Sequence, residues 1–172
     1  MVPLSINFAS APVCLFKWNC NDKLCTCLKI FKEICLIECW ETFENKASLI
    51  STNAKVITFS AHNIQADFSA QNITSKKEGH FNFSLVTPQG TIQINLPLRG
   101  KHNIANAVAS AACAHTAGAK LQTIKDGLNN LTQVEGRMEC TKLSPDLFLI
   151  DDSYNASPGS VKAAIDTLIE IN

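Results

Sequence analysis

Two short segments alternate apolar and polar side chains with a period of two. They are Phe81-Asn82-Phe83-Ser84-Leu85-Val86 and Thr91-Ile92-Gln93-Ile94-Asn95-Leu96. This period half-buries a strand, and Thr87-Pro88-Gln89-Gly90 stands between the two, so the pattern predicts a β-hairpin around a proline–glycine turn. Upstream, Val56-Ile57-Thr58-Phe59 is β-branched and aromatic and predicts a short buried strand, with a second strand over residues 66–73. Past Pro97 the period changes. Residues 102–116 are small and apolar on most faces, rich in alanine, and predict a largely buried helix that Gly118 is placed to end. Leu121, Ile124, Leu128 and Leu131 fall at helical spacing and predict a second helix over 121–131. Strands are expected at 138–143 and 147–150. A last helix is expected from about Val161 to Ile171, with Pro158 near its start.

The first 50 residues lack this order. Residues 14–43 mix Cys, Trp, Phe, Lys and Ile without clean alternation, and a helix over 24–41 is the element expected there. Six of the eight cysteines lie between Cys14 and Cys39; Cys113 and Cys140 lie beyond. A disulfide framework needs an oxidising compartment. Zinc sites usually pair cysteines as C-x2-4-C, whereas here the spacings are Cys20-x4-Cys25, Cys25-x-Cys27 and Cys35-x3-Cys39, with no histidine before His62. Buried or incidental thiols are the preferred expectation, and a small zinc-binding or interaction module is the alternative.

Composition narrows the classes. With 46% apolar and 17% charged residues the chain has the makings of a core. A formal net charge of zero argues against non-specific nucleic-acid binding, which draws on clustered Lys and Arg. It leaves room for one nucleotide, which a few local groups can hold. No apolar run reaches the roughly 18 residues of a membrane span. Ala9-Ser10-Ala11 looks like a leader-cleavage site, but the first basic side chain is Lys17 and Pro3 and Asn7 interrupt the apolar start. A cytoplasmic chain without membrane or nucleic-acid partners is therefore expected.

Three clusters could carry chemistry. In Gly100-Lys101-His102-Asn103-Ile104-Ala105-Asn106 a glycine turn enters a helix, and Asn103 and Asn106, three apart, share one face. An amide offers a donor and an acceptor, which suits the N6 and N7 edge of adenine; equally, Asn103 could serve only as a cap. Arg137, after Gly136, is permanently charged and forked and can bind a phosphate through two parallel hydrogen bonds, or form a surface ion pair. Asp151 and Asp152 end an apolar strand, where ligands bind in open α/β sheets. Side chains alternate along a strand, so only one of the two should face the site. A carboxylate there can accept hydrogen bonds from a ribose or help hold a metal; equally, it could serve only to cap the following turn. His62, His80 and His115 have no metal-like spacing.

In order and separation, G-K-H-N-x-x-N, then G-R, then D-D-S-Y-N-A-S-P resembles the Mur ligases, ATP-dependent enzymes that add amino acids to the peptidoglycan precursor. The wording D-D-S-Y-N is similar to the branch that joins D-Ala-D-Ala to UDP-N-acetylmuramoyl-tripeptide. The resemblance covers about residues 56–172. It implies an α/β fold: the remnant of a central ATPase domain, a β-hairpin plus helices, followed by the start of a Rossmann-like C-terminal domain. The division expected is a Cys-rich segment 1–50, the later part of the central ATP-binding domain over 51–144, and the beginning of the C-terminal domain over 145–172. By resemblance, Asn103 and Asn106 match paired asparagines of which the second contacts adenine, Arg137 matches the arginine that reaches ATP phosphate, and Asp152 matches the aspartate near the ribose.

The family reaction activates a carboxylate as an acyl phosphate with ATP and Mg2+, and an incoming amine displaces phosphate. It uses a UDP-sugar domain, a phosphate loop with its lysine, and a glutamate, a histidine and a carbamylated lysine around magnesium. No G-x-x-x-x-G-K-[ST] occurs in the 172 residues. The Mg2+ site is therefore expected to be absent, with no catalytic or metal-binding residue assigned. Such a truncated form is expected to be inactive alone and to meet the tripeptide and D-Ala-D-Ala only if the missing domains are supplied.

Overall fold

The computed structural model describes the backbone of Cys14–Cys20, Lys23–Phe31 and Ile34–Glu38, and residues 55–144, 147–154 and 156–171. Seven strands run in chain order across one sheet. They are β1 (Cys14–Cys20), β2 (Lys23–Phe31), β3 (Ile34–Glu38), β4 (Lys55–Ser60), β5 (Phe68–Ser75), β6 (Phe81–Thr87) and β7 (Gly90–Leu96). Neighbours pair antiparallel except β3 with β4 and β4 with β5, which are parallel.

The helix expected over 24–41 is corrected by this sheet, which takes residues 24–31 into β2 and residues 34–38 into β3; the rest of that span lies outside the described residues. The run Ile34-Cys35-Leu36-Ile37 is apolar without alternation, and such a run is ambiguous between a buried helix and an interior strand. Pairing decides it: Ile34 to Glu38 align in register with Lys55 to Phe59 of β4. An apolar run suits a strand in the parallel part of a sheet.

The remaining elements follow the pattern closely. β6 and β7 form the expected hairpin, closed at Thr87 and Gly90, where the Thr87 hydroxyl donates to the Gly90 carbonyl at 2.9 Å. Helix α1 (His102–Thr116) buries Ile104, Ala107, Val108, Ala111 and Ala112 against β4 and β5. Its end is tied by the Gly118 N–H on the His115 carbonyl (2.9 Å), with Gly118 at φ +90° as a left-handed C-terminal turn requires. Helix α2 (Leu121–Asn129) stops short of Leu131 because Asn130 caps it, its side-chain amide donating to the Asp126 carbonyl at 2.7 Å. The core lies between sheet and helices, around Phe68, Phe83, Leu85, Ile94 and Val108.

Strands β8 (Glu139–Ser144) and β9 (Leu147–Asp151) pair antiparallel as a separate hairpin, and the expected boundary between residues 144 and 145 falls in their connection. Helix α3 (Pro158–Ile171) begins earlier than its apolar pattern suggests. The sequence Ser157-Pro158-Gly159-Ser160 caps it reciprocally: the Ser160 N–H donates to Ser157 Oγ (3.2 Å) and the Ser157 N–H to Ser160 Oγ (2.8 Å).

Helix α3 docks on the turns before the hairpin and before α1. Thr167 is 2% exposed and sits over Gly100, where a Cβ would lie 2.6 Å from its Oγ1. Gly79, at the other contact, would bring a Cβ to 3.0 Å from Ile171. Two glycines thus make the sockets that admit the helix. No helix among the described residues is long and apolar enough to cross a membrane.

Candidate functional site

The elements converge on a cavity of about 480 Å³ between the start of α1, the loop after α2, the end of β9 and the start of α3. All four residues singled out in the sequence, Asn103, Asn106, Arg137 and Asp152, line it. They come from three segments far apart along the chain, so the convergence is a product of the fold.

Each is held by identifiable bonds. Asn103 lies in the first turn of α1, where its backbone N–H donates to the Gly100 carbonyl (3.0 Å). Its side-chain amide donates back to the Arg99 carbonyl at 2.7 Å, which satisfies a carbonyl just before the helix. Its Oδ1 accepts from Asn106 Nδ2 at 3.0 Å. The Asn103 amide thus donates one N–H and accepts one bond within the protein, and the second of these holds Asn106. Asn106 is exposed, and its Oδ1 has no partner among the described residues. An amide held by one N–H keeps an acceptor and a second donor for a ligand.

The aspartates separate as alternation requires. The Asp151 carboxylate turns away from the cavity and accepts the Ser153 N–H at 2.9 Å. Hydrogen bonds from the Ser153 hydroxyl and N–H hold its carboxyl below the ordinary value. Asp152 lines the cavity, and its Oδ1 accepts the Met138 N–H at 3.1 Å. Gly136 and Tyr154 add a second tie between the same segments, the Tyr154 N–H donating to the Gly136 carbonyl at 2.9 Å. This approach needs a glycine: φ at Gly136 is +68°, and a Cβ there would lie 3.3 Å from the Tyr154 nitrogen. Arg137, between these ties, has its N–H on the Val134 carbonyl at 3.1 Å and accepts the Gln133 side-chain amide at its own carbonyl.

Sequence reasoning passed over Tyr154. It stands in the D-D-S-Y-N wording, but nothing local distinguishes it from an exposed turn residue. In the structure its ring lies 4.1 Å from the Arg137 guanidinium carbon. The start of α3 was also unassigned, and Ser157, Gly159 and Ser160 line the same cavity.

The donor set suits part of a nucleotide. The volume falls in the range of about 300–1,000 Å³ common for small-molecule sites. An amide, a guanidinium and a carboxylate supply base, phosphate and ribose chemistry. It does not suit a metal ion: Asp152 is the single carboxylate on the wall, and no group of three His, Cys, Asp or Glu able to hold a metal occurs among the described residues. Of the eight cysteines, Cys113 and Cys140 are free thiols, while the side chains of the six earlier ones, on which the zinc alternative rests, lie outside the described residues.

Residues 37–114 match the Mur ligase middle domain, so the match starts upstream of the region whose wording carries the resemblance. The chain is 46% identical over 117 residues to the UDP-N-acetylmuramoyl-tripeptide–D-alanyl-D-alanine ligase of Escherichia coli strain K12, covering 68% of this chain and 26% of that protein. The crystal structure of MurF from Acinetobacter baumannii superposes with a TM-score of 0.63 at 34% identity, over 69% of this chain and 25% of that one. MurF ligase from Thermotoga maritima, solved in complex with ADP, shares the fold at a TM-score of 0.55 and 20% identity, over 68% of this chain and 26% of its own. The chain spans about a quarter of the length of these relatives.

Proposed function

The chain belongs to the Mur ligase family, and from that premise we propose that residues 98–163 form the nucleotide corner of a ligase that adds D-Ala-D-Ala to UDP-N-acetylmuramoyl-tripeptide. Asn106 receives the adenine edge, with Asn103 fixing its amide. Asp152 accepts from the ribose hydroxyls, and Arg137 meets the phosphates. What supports this reading is a single observation: four side chains from three segments line one cavity. The ADP bound to the Thermotoga maritima relative fits the same ligand class.

The division of labour is physical. In phosphoryl transfer the large term is neutralisation of charge on the transferring group. Arg137 supplies one such charge. In the family the lysine of a phosphate loop and the Mg2+ that its ligands would hold supply the others, and these 172 residues contain no G-x-x-x-x-G-K-[ST]. Joining D-Ala-D-Ala to the tripeptide therefore requires groups from outside them, and these residues alone bind nucleotide without turning it over. The relatives act in peptidoglycan synthesis, and this corner serves that chemistry as the adenine and ribose half of the ATP site.

Titration of ATP followed by amide NMR tests this. The expected affinity is of order millimolar, about 4 kcal/mol of binding free energy, with shifts at Asn106 and Asp152 and little dependence on Mg2+. Asn106→Ala should abolish the response. Lys76→Ala, on a different cavity, should leave it intact. Tight, Mg2+-dependent binding, or no shift near Asn106 at high ATP, would sink the proposal.

A further inference from the structure

Among the described residues Arg137 is the one strong cation on the cavity wall, and how it is held decides whether it can serve a phosphate. Carboxylates stand close by in the sequence, yet each of two is occupied by backbone. Glu139 Oε2 accepts the Gly136 N–H at 3.4 Å, and Asp152 Oδ1 accepts the Met138 N–H at 3.1 Å. Among the described residues Arg137 makes no ion pair; its guanidinium rests instead on the Tyr154 ring, 4.1 Å from the centroid.

These two partners would have opposite consequences. A carboxylate would neutralise the guanidinium and occupy its fork. An aromatic face attracts the cation through its quadrupole while leaving the charge in place, and a stacked guanidinium keeps its N–H edges for another acceptor. The backbone that carries the ring is anchored, because the Tyr154 N–H donates to the Gly136 carbonyl at 2.9 Å and the missing Cβ of Gly136 admits the Tyr154 backbone. Gly136, Arg137 and Tyr154 thus form one device built from two distant segments.

We propose that Tyr154 is the positioning residue for Arg137, holding the guanidinium by its face so that its N–H edges remain charged and available to a nucleotide phosphate. The proposal rests on the nucleotide reading above and adds to it the means by which the arginine is kept ready. The phenol hydroxyl has no part in it; the ring does.

The test uses the full chain, titrated with ATP and separately with adenosine, and compares it with Tyr154→Phe, Tyr154→Ala, Arg137→Ala and the double Ala variant. Tyr154→Ala should weaken ATP binding about two- to fivefold, the scale of a solvent-exposed cation–π contact, and leave adenosine binding unchanged. Tyr154→Phe should match the unsubstituted chain. Arg137→Ala should remove the advantage of ATP over adenosine, and adding Tyr154→Ala to it should change nothing further. Without nucleotide, the Arg137 Cδ and Nε protons should show an upfield ring-current shift that Tyr154→Phe keeps and Tyr154→Ala abolishes. Equal ATP affinity in Tyr154→Ala overturns the proposal, as does an equal loss for adenosine, which would make the ring a platform for the base. A chain that binds ATP without the ring-current shift overturns this inference alone. A chain that shows the shift but binds no ATP overturns the nucleotide reading, and the phosphate role with it.

Discussion

Residues 55–129 and residues 139–171 are built to different standards of closure. In the first, the sheet packs its apolar side chains into a closed core: Phe68, Phe83, Leu85 and Ile94 are each 0% exposed beneath α1 and α2. In the second, β9 is apolar along Leu147-Phe148-Leu149 and these side chains are 43–54% exposed, while Ile165, Leu168 and Ile169 of α3 are exposed as well. A strand apolar on both faces is made for the inside of a sheet covered on both sides, and the described residues supply one neighbour, β8.

What holds the second region is a handful of contacts: Thr167 over Gly100, Ile171 against Gly79, and the ties of Tyr154 to Gly136 and Asp152 to Met138. The last two of these also build the cavity. The candidate site is therefore only as stable as the docking of the less covered region, as is common for ligand-binding elements.

The contrast can be broken most directly in the core. Phe83→Ala, at a fully buried position, should cost about 3–5 kcal/mol in urea unfolding, whereas Leu149→Ala should change stability by no more than about 0.5 kcal/mol. Similar costs for both would mean that β9 is covered after all. Gly100→Ala comes next. It combines φ +88° with a Cβ 2.6 Å from Thr167 Oγ1 and 2.7 Å from His102 Cε1. A cost of about 1–3 kcal/mol is expected from the strained backbone, and it should fall unevenly. Hydrogen exchange should show α3 losing protection while β6 and β7 retain theirs, and uniform loss would show that the two regions unfold as one.

The smallest effect concerns pH. Burial, and after it the Arg99 charge, lowers the pKa of His80 from its ordinary value of 6.5. Its ring nitrogen Nδ1 and the Asn82 Oδ1 are buried without partners among the described residues. Below pH 6.5 the unfolded chain binds the proton more readily than the folded one. Stability should therefore be full above that pH and decline as pH falls through the lowered folded value. Lys76 adds to the lowering and Glu78 opposes it. His80→Asn should flatten the slope in unfolding curves recorded between pH 7 and pH 5; an unchanged slope would assign the effect to other groups.

Much of the molecule was legible without coordinates, because it is encoded over short distances. The hairpin of β6 and β7 follows from a period of two around a proline–glycine turn, and α1 from an alanine-rich run closed by Gly118. The motif wording pointed to Asn103, Asn106, Arg137 and Asp152, and these do line one cavity. Tertiary structure decided the rest. Residues 24–31 and 34–38 form strands because β3 finds a parallel partner in β4 and β2 an antiparallel one in β3, pairings that no local propensity reports. The Asn103 amide is engaged by the Arg99 carbonyl and by Asn106. Tyr154 is set apart from an ordinary turn residue only by a guanidinium 17 positions earlier in the chain, 4.1 Å from its ring. Periodicity and capping act within a few residues and are written in order along the chain; strand pairing, hydrogen-bond saturation and the partner of a charge depend on which distant groups the fold brings within a few ångströms.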